Sequence, residues 1–312
     1  MASPLITLIP FFALVLIGYL SARKGLVDGA GVKGLNAFVF YFALPALLFD
    51  KTQAAPMDKF MAERAYMLAY LIGALVVFAI GWLGARLLFQ AGPGRSTVMG
   101  LAGVYGNIGF MGIPVLTTAM GDWVAVPLAL IVLVDVAILV PMATTIINMT
   151  RPTAQRRDLK SALVASVLKN PVVLATLAGL GVAALGWSLP TPITTFTDLL
   201  GRSAGPAAMF TLGAVLAGRP LSEGFGEAIY ASIFKLAVYP FAIWWAMTAF
   251  AISADWRLAA TLGAAMPMAT VLFVIAQQYQ VMPQRTSTAV LLSTVLAMAT
   301  VTVLTAWLGS SL

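Results

Sequence analysis

The sequence contains no cysteine and no histidine. It therefore forms no disulfide, has no thiol nucleophile, and offers no imidazole to bind a metal ion or relay a proton. Charged residues are also scarce, at 9% of the chain, whereas soluble domains carry about 25%. The low charge excludes an ordinary soluble domain, and we expect neither a metal site nor another cofactor.

Apolar sequence makes up most of the chain. Hydrophobic residues account for 61% of the 312 residues, and the mean hydropathy is +0.97. Because about 20 residues are needed to cross a bilayer, the apolar segments predict one multi-pass membrane domain over residues 1–312. The ten predicted spans are approximately 4–22, 31–49, 64–89, 96–117, 123–148, 170–186, 191–217, 225–252, 257–277 and 286–309.

Basic residues in the short loops predict the orientation of these spans. With the N-terminus outside, the inner loops hold Arg23, Lys24, Lys33, Arg86, Arg95, Arg151, Arg156, Arg157, Lys160, Lys169, Arg219 and Arg285, and the outer loops hold Lys51, Lys59, Arg64 and Arg257. This bias fits the positive-inside rule and predicts both termini on the outer, periplasmic side of the cell inner membrane. The net charge of +7 is thus explained by topology, and no nucleic-acid partner is expected.

The longest inner connection, 150–169, divides the chain into two halves of five spans, 1–149 and 170–312. An odd-numbered unit inserts its copy upside down, so this division predicts an inverted repeat. Within the connection, Asp158–Lys169 has the pattern of a short amphipathic helix on the membrane surface. Asn170 followed by Pro171 predicts a helix N-cap with proline at the first helical position.

Span four contains a stretch that is unfavourable for a continuous helix. Gly106, Gly109, Gly112 and Pro114 lie between Val104 and Leu116, where each glycine costs about 1 kcal/mol and proline about 3. Non-helical backbone at membrane depth is tolerated where protein or a water-filled cavity covers it. The stretch predicts a break of the kind found in discontinuous transporter helices, and a kinked but continuous helix is the alternative. Pro267, at the corresponding place in span nine, favours the break.

Several motifs resemble one known family. They are Phe40–Phe49 (FYFALPALLF), Gly106–Pro114 (GNIGFMGIP), Gly205–Gly218 (GPAAMFTLGAVLAG) and Met266–Pro267. With these motifs the chain resembles the auxin efflux carrier family, the PIN-like group whose bacterial members include malonate and malate carriers. The resemblance implies an all-α integral membrane protein of ten transmembrane helices, arranged as two inverted five-helix repeats with broken, crossing helices 4 and 9. Spans 1, 2, 6 and 7 would form a scaffold, and spans 3–5 and 8–10 a transport domain.

The resemblance also implies a function. Such a protein is a secondary transporter that moves a small organic anion by alternating access of the elevator type. The anion would be a carboxylate such as malonate, malate or an auxin-like acid. Coupling to a proton or to sodium stays open, and so does a homodimer. The bilayer is the expected surrounding, and no enzymatic activity is expected. The sequence has no HExxH motif, and Gly201–Gly205 (GRSAG), which matches GxSxG, comes with no histidine anywhere in the chain to activate its serine.

A substrate site is predicted where the two breaks meet. The first amides of each second half-helix are free, and the end of its dipole is positive, so an anion can bind there without a cation. Asn107 would donate its amide to a carboxylate, although a structural amide bonding the partner helix is the alternative. Thr270 would bind the anion or, alternatively, bond back to its own helix. The predicted site residues are Tyr105, Asn107, Gly109, Gly112, Ile113, Pro114, Met266, Pro267 and Thr270.

Two ionisable residues lie deep within spans. Asp135 in span five and Lys235 in span eight are expensive to insert, so we expect them to form an ion pair within about 4 Å or to serve coupling. Asp198 and Arg202 have the i,i+4 spacing of a structural pair. The alternative function is a cation/proton antiporter that uses Asp135, although span five contains no second acid beside it.

Overall fold

The computed structural model describes residues 4–55, 61–151, 169–217 and 223–309. These ranges are helical and contain no β-strand. The α-helices are α1 (Pro4–Arg23), α2 (Gly29–Phe38), α3 (Leu44–Gln53), α4 (Tyr66–Leu88), α5 (Pro93–Val104), α6 (Ile113–Met120), α7 (Ala125–Val134), α8 (Val140–Met149), α9 (Pro171–Ala184), α10 (Thr191–Arg202), α11 (Ala204–Ala217), α12 (Phe225–Ile233), α13 (Tyr239–Ala249), α14 (Ala254–Ala264), α15 (Val271–Gln278) and α16 (Pro283–Gly309). The predicted surface helix Asp158–Lys169 lies almost entirely outside the described residues.

Five helical stretches in the described ranges are long and apolar enough to cross a membrane. They are Gly29–Gln53, Tyr66–Leu88, Asp122–Met149, Thr191–Ala217 and Phe225–Ala249. Three shorter apolar helical stretches are Ile9–Arg23, Ile108–Met120 and Pro171–Ala184. An all-helical chain with this many apolar stretches is a multi-pass membrane protein, because helices satisfy their backbone groups within the segment.

Internal contacts divide the chain into two compact units. The first unit comprises Met1–Arg64, Gly109–Leu133 and Leu168–Arg219, and the second comprises Ala65–Ile108, Val134–Val167 and Pro220–Leu312. Each unit therefore draws segments from both halves of the sequence. Spans four and five each contribute to both units.

Close helix packing in the first unit depends on glycine. A Cβ added at Gly18 of α1 would lie 1.9 Å from the Phe210 carbonyl oxygen, and one added at Gly213 of α11 would lie 1.9 Å from the Val15 carbonyl oxygen. The two helices thus approach through small residues on both sides, the usual device in membranes, where lipid is as apolar as leucine. Helices α3 and α9 also pack together.

Each of the four π-helices in the described ranges ends two residues before a proline. They are π1 (Val39–Ala43), π2 (Ile108–Gly112), π3 (Asp135–Leu139) and π4 (Phe234–Val238), followed by Pro45, Pro114, Pro141 and Pro240. Proline has no amide hydrogen, and its ring clashes with the carbonyl four residues back. A π-turn adds one residue to the loop. In π3, for example, the Val140 amide bonds the Asp135 carbonyl five residues earlier. The prolines are thereby accommodated without ending the helix.

Candidate functional site

Two helices that begin in the second unit are interrupted there. Helix α5 ends at Val104, and helical structure resumes at Ile108. Helix α14 ends at Ala264, and α15 begins at Val271, with Met266 and Pro267 in the gap. The sequence predicts a break within Val104–Leu116, and the interruption lies at 105–107, at the start of that stretch and not at Pro114. The reason is that π2 absorbs this proline within the continuous helical stretch Ile108–Met120.

The two interruptions pair with each other. Gly106 and Met268 form an isolated antiparallel bridge. The Asn107 amide donates to the Pro267 carbonyl over 2.7 Å, and the Ala269 amide donates to the Tyr105 carbonyl over 3.1 Å. Backbone groups that leave a helix in an apolar environment need new partners, and here each break supplies them to the other. We name this paired region, 105–107 with 266–269, the crossing.

The side chains at the crossing are mostly buried. Asn107 is 4% exposed and Tyr105 is 8% exposed. The side-chain amide of Asn107 makes no hydrogen bond to any other described residue, so the alternative of a structural amide that bonds a partner helix has no support within those ranges. Thr270 is half-buried, and its hydroxyl does not cap α15. A buried amide and a nearby hydroxyl are therefore both available at the crossing.

The side chain of Lys235, in π4, contacts residues at and beside the crossing. Its side chain is 0% exposed, and its Nζ donates to the carbonyl oxygen of Ala264, the last residue of α14. The Nζ also lies 4.7 Å from the centre of the Tyr239 ring. A Cβ added at Gly106 would lie 3.1 Å from Nζ and 3.3 Å from Cε. The ammonium group is thus packed against one interruption and bonded to the helix that ends at the other.

Asp135 opens π3 and is also buried, with 1% exposure. Its Oδ1 accepts a hydrogen bond from the Tyr70 hydroxyl over 2.9 Å. Within the described ranges no salt bridge joins Asp135 to Lys235. Of the two alternatives for these residues, the direct ion pair is therefore not formed in the described ranges: the carboxylate has a phenol as its partner and the ammonium has a carbonyl. Two tyrosines connect these groups: Tyr70 bonds Asp135, the Tyr239 ring faces Nζ of Lys235, and the centres of the two rings are 6.2 Å apart.

Four of the predicted site residues, Gly109, Gly112, Ile113 and Pro114, belong to the first unit. There, a Cβ at Gly109 would meet Leu44 at 3.2 Å, and one at Gly205 would meet Pro114 at 3.1 Å. Pro114 also lines a cavity of about 500 Å³ in that unit. Their contacts within the unit are those of tight packing. The remaining five predicted residues, Tyr105, Asn107, Met266, Pro267 and Thr270, lie in the second unit at the crossing or directly beside it.

Charged residues elsewhere in each unit form pairs. In the first unit Lys51 contacts Asp50 at 3.2 Å and Asp122 at 2.9 Å. Arg202 contacts Asp198 at 2.8 Å, which confirms the predicted i,i+4 pair. In the second unit Glu227, near the start of α12, accepts from Arg95 at 2.9 Å and from Arg285. None of these pairs includes a residue of the crossing.

Sequence reasoning named Gly106 only as a helix breaker, and it missed three participants: Tyr70, Tyr239 and the Ala264 carbonyl. A backbone carbonyl has no signature in a sequence. One signal was available for Lys235. No acid lies three or four residues from it on its helix, so this deep lysine must find another acceptor, and the last carbonyls of a broken helix are unpaired acceptors.

Comparison with known proteins matches membrane transporters over nearly the whole chain. A family described as membrane transport protein matches residues 4–305. A protein of Rhizobium meliloti (strain 1021) named "Putative malonate transporter" is 35% identical over 298 residues, which cover 94% of this chain and 92% of the relative.

Two further relatives are more distant and align over similar lengths. "Uncharacterized transporter YfdV" of Escherichia coli (strain K12) is 26% identical over 291 residues, covering 93% of this chain and 92% of the relative. "Auxin efflux carrier component 8" of Arabidopsis thaliana is 24% identical over 346 residues, covering 94% of each chain. Since the family match spans nearly all of its helices, the chain belongs to the membrane transport protein family, the PIN-like family of the auxin efflux carriers.

Proposed function

We propose that the protein is a secondary transporter of a small organic anion, a carboxylate, and that the anion binds at the crossing. The observation that carries this proposal is the pairing of two interrupted helices by the bonds Asn107–Pro267 and Ala269–Tyr105. Such pairing holds two helix starts in one place without closing either. Interrupted helices of this kind form the substrate sites of many transporters.

The electrostatics of the crossing favour an anion. Helical structure resumes at Ile108 and at Val271, directly after the paired segments. The first amides of each helix have no partner within it, and each helix start carries about half a positive charge. The Asn107 side-chain amide, buried and without a partner in the described ranges, is a neutral donor for a carboxylate oxygen. An anion held mainly by neutral donors is not fixed by a salt bridge and so can be released.

Malonate is the substrate we propose to test first. The relative of highest identity among those described is named for malonate, and it aligns over 92% of its own length. A second relative is named for auxin efflux. The crossing has donors suited to a carboxylate, which malonate supplies.

We further propose the ten-helix inverted repeat, with scaffold and transport domains and alternating access. The packing of α1 on α11 and of α3 on α9 supports it. In the predicted numbering these are contacts of span 1 with span 7 and of span 2 with span 6. An inverted repeat that superposes spans 1–5 on spans 6–10 maps the first contact onto the second. The pairing of span 4 with span 9 maps onto itself under the same exchange. Both termini on the periplasmic side of the inner membrane remain part of this proposal.

The experiment is a binding and transport assay on the purified full chain. Calorimetry should detect malonate binding at micromolar to millimolar Kd, and proteoliposomes should take up labelled malonate. Each assay is run with and without sodium and at two pH values, with chloride and a neutral diol of similar size as controls. If malonate and its mono- and dicarboxylate analogues all fail to bind, the proposal is wrong. A response to sodium or pH alone would instead favour the antiporter that uses Asp135.

A further inference from the structure

Lys235 is a buried cation whose side chain is in direct contact with neutral groups. Its Nζ donates to the Ala264 carbonyl and lies over the Tyr239 ring at 4.7 Å from the ring centre. No carboxylate in the described ranges lies within salt-bridge distance of it. The nearby acid of the same unit, Asp135, is bonded to Tyr70. The positive charge is therefore not cancelled by a direct ion pair.

The position of this charge relative to the crossing is specific. A Cβ added at Gly106 would lie 3.1 Å from Nζ, and Gly106 directly precedes Asn107. Ala264, whose carbonyl accepts from Nζ, ends the helix that leads to Pro267. The next two amides, of Ala265 and Met266, bond back to Thr261 and Gly263. Lys235 thus completes the C-terminal end of α14, where a cation is favoured by the helix dipole.

The electric field of a buried charge extends beyond the groups that it contacts. In a protein interior the effective dielectric constant is far below that of water, so a charge acts over several ångströms without contact. A buried charge without a direct ion pair is also costly to place at membrane depth, so a role for it is expected. The ammonium group lies beside the backbone of the first interruption, at Gly106, and at the end of α14, where the second interruption begins. Any anion beside Asn107 therefore experiences it.

We propose that Lys235 is a positioning residue that fixes the end of α14 against the other break and makes the crossing prefer dianions to monoanions. This inference rests on the proposed function. The preference follows because the attraction between a fixed charge and an anion scales with the charge of the anion. The helix starts and Asn107 hold one carboxylate, and the field of Lys235 favours a second negative charge on the same ligand.

The test compares two ligands that differ by one charge. Kd values for malonate and for monomethyl malonate are measured by calorimetry at constant ionic strength and neutral pH, for the full chain and for Lys235→Met. The parent should bind malonate at least about tenfold more tightly than the monoester, and Lys235→Met should remove most of that ratio. The control is Lys33→Met, which removes an exposed lysine of α2 and should leave both Kd values unchanged.

A second variant addresses the case in which Lys235→Met does not fold. Gly106→Ala keeps every charge but crowds Nζ and shifts it by a few tenths of an ångström, because the new Cβ would lie 3.1 Å from it. It should weaken malonate binding more than monoester binding. Gly34→Ala, where a Cβ meets nothing within 4 Å, is the matched control.

The outcomes separate this inference from the proposed function. If the parent binds malonate and the monoester equally, or if Lys235→Met and Gly106→Ala both leave the ratio at the parent value, the inference is overturned while carboxylate binding stands. If the parent binds neither ligand, the proposed function fails and the inference fails with it. A collapsed ratio in either variant, with both controls unchanged, supports the assignment of Lys235.

Discussion

The Tyr70 hydroxyl donates a hydrogen bond to Oδ1 of Asp135 over 2.9 Å, in the buried interior of the second unit. This bond gives the carboxylate a partner at membrane depth without placing a second full charge beside it. Both side chains are almost completely buried, at 0% and 1% exposure. A carboxylate that lost this donor would have to be hydrated or neutralised in a place with little room for either.

Tyr70→Phe should therefore destabilise the protein. Removing the donor leaves a buried acid with an unmade hydrogen bond, which costs about 1.5–3 kcal/mol for a charged acceptor. The melting temperature in detergent, followed by tryptophan fluorescence, should fall by several degrees. Tyr41→Phe, on an exposed tyrosine, is the control and should not change it. An unchanged melting temperature for Tyr70→Phe would show that Asp135 does not depend on this bond.

Pro240→Ala tests the link between proline and π-helix. Pro240 follows π4, the helical turn that carries Lys235. With alanine in its place the missing amide is restored, so an α-helical turn becomes possible and Lys235 can rotate away from Ala264. We expect malonate affinity to fall about tenfold. Pro10→Ala, inside the α-helix α1, is the control and should retain binding. Parent affinity in Pro240→Ala would mean that the proline does not set the position of Lys235.

Glu227→Gln tests the charge cluster at the start of α12. Glu227 is 7% exposed and accepts from both Arg95 and Arg285, so its neutralisation leaves two guanidinium groups facing each other. We expect a loss of about 2–3 kcal/mol in unfolding free energy, because breaking a partly buried pair removes compensation for the remaining charges. Asp198→Asn breaks an exposed pair and should leave the melting temperature unchanged. Equal effects of the two changes would contradict this account of the cluster.

Much of the local structure could be predicted from the sequence. Asn170 caps α9 as expected, with its side chain accepting from the amides of Val172 and Val173. The burial of Asp135 and Lys235 followed from their depth within spans. Their partners did not, because depth along a span says nothing about rotation around the helix axis, and π3 and π4 change that rotation locally.

The first break shows a different limit of sequence reasoning. Pro114 is the strongest helix breaker in its span, yet the chain passes it as a π-turn, and the helix is interrupted earlier, at 105–107. No proline marks that place. The interruption is favoured by its bonds to Pro267 and Ala269, which lie far away in the sequence. Gly106 favours an interruption there, but the long-range backbone pairing that sets its position leaves no local pattern in the sequence.

The most direct test of carboxylate binding at the crossing is the malonate Kd of Asn107→Ala against the parent, measured by calorimetry on the full chain. The variant removes a buried side-chain amide and leaves the Asn107–Pro267 backbone bond in place. Loss of a charge-assisted hydrogen bond costs about 1.5–3 kcal/mol, so Kd should rise about ten- to a hundredfold. Asn36→Ala in α2 is the control and should bind as the parent does. Parent-like affinity in Asn107→Ala, with the melting temperature unchanged, would contradict the placement of the substrate at the crossing.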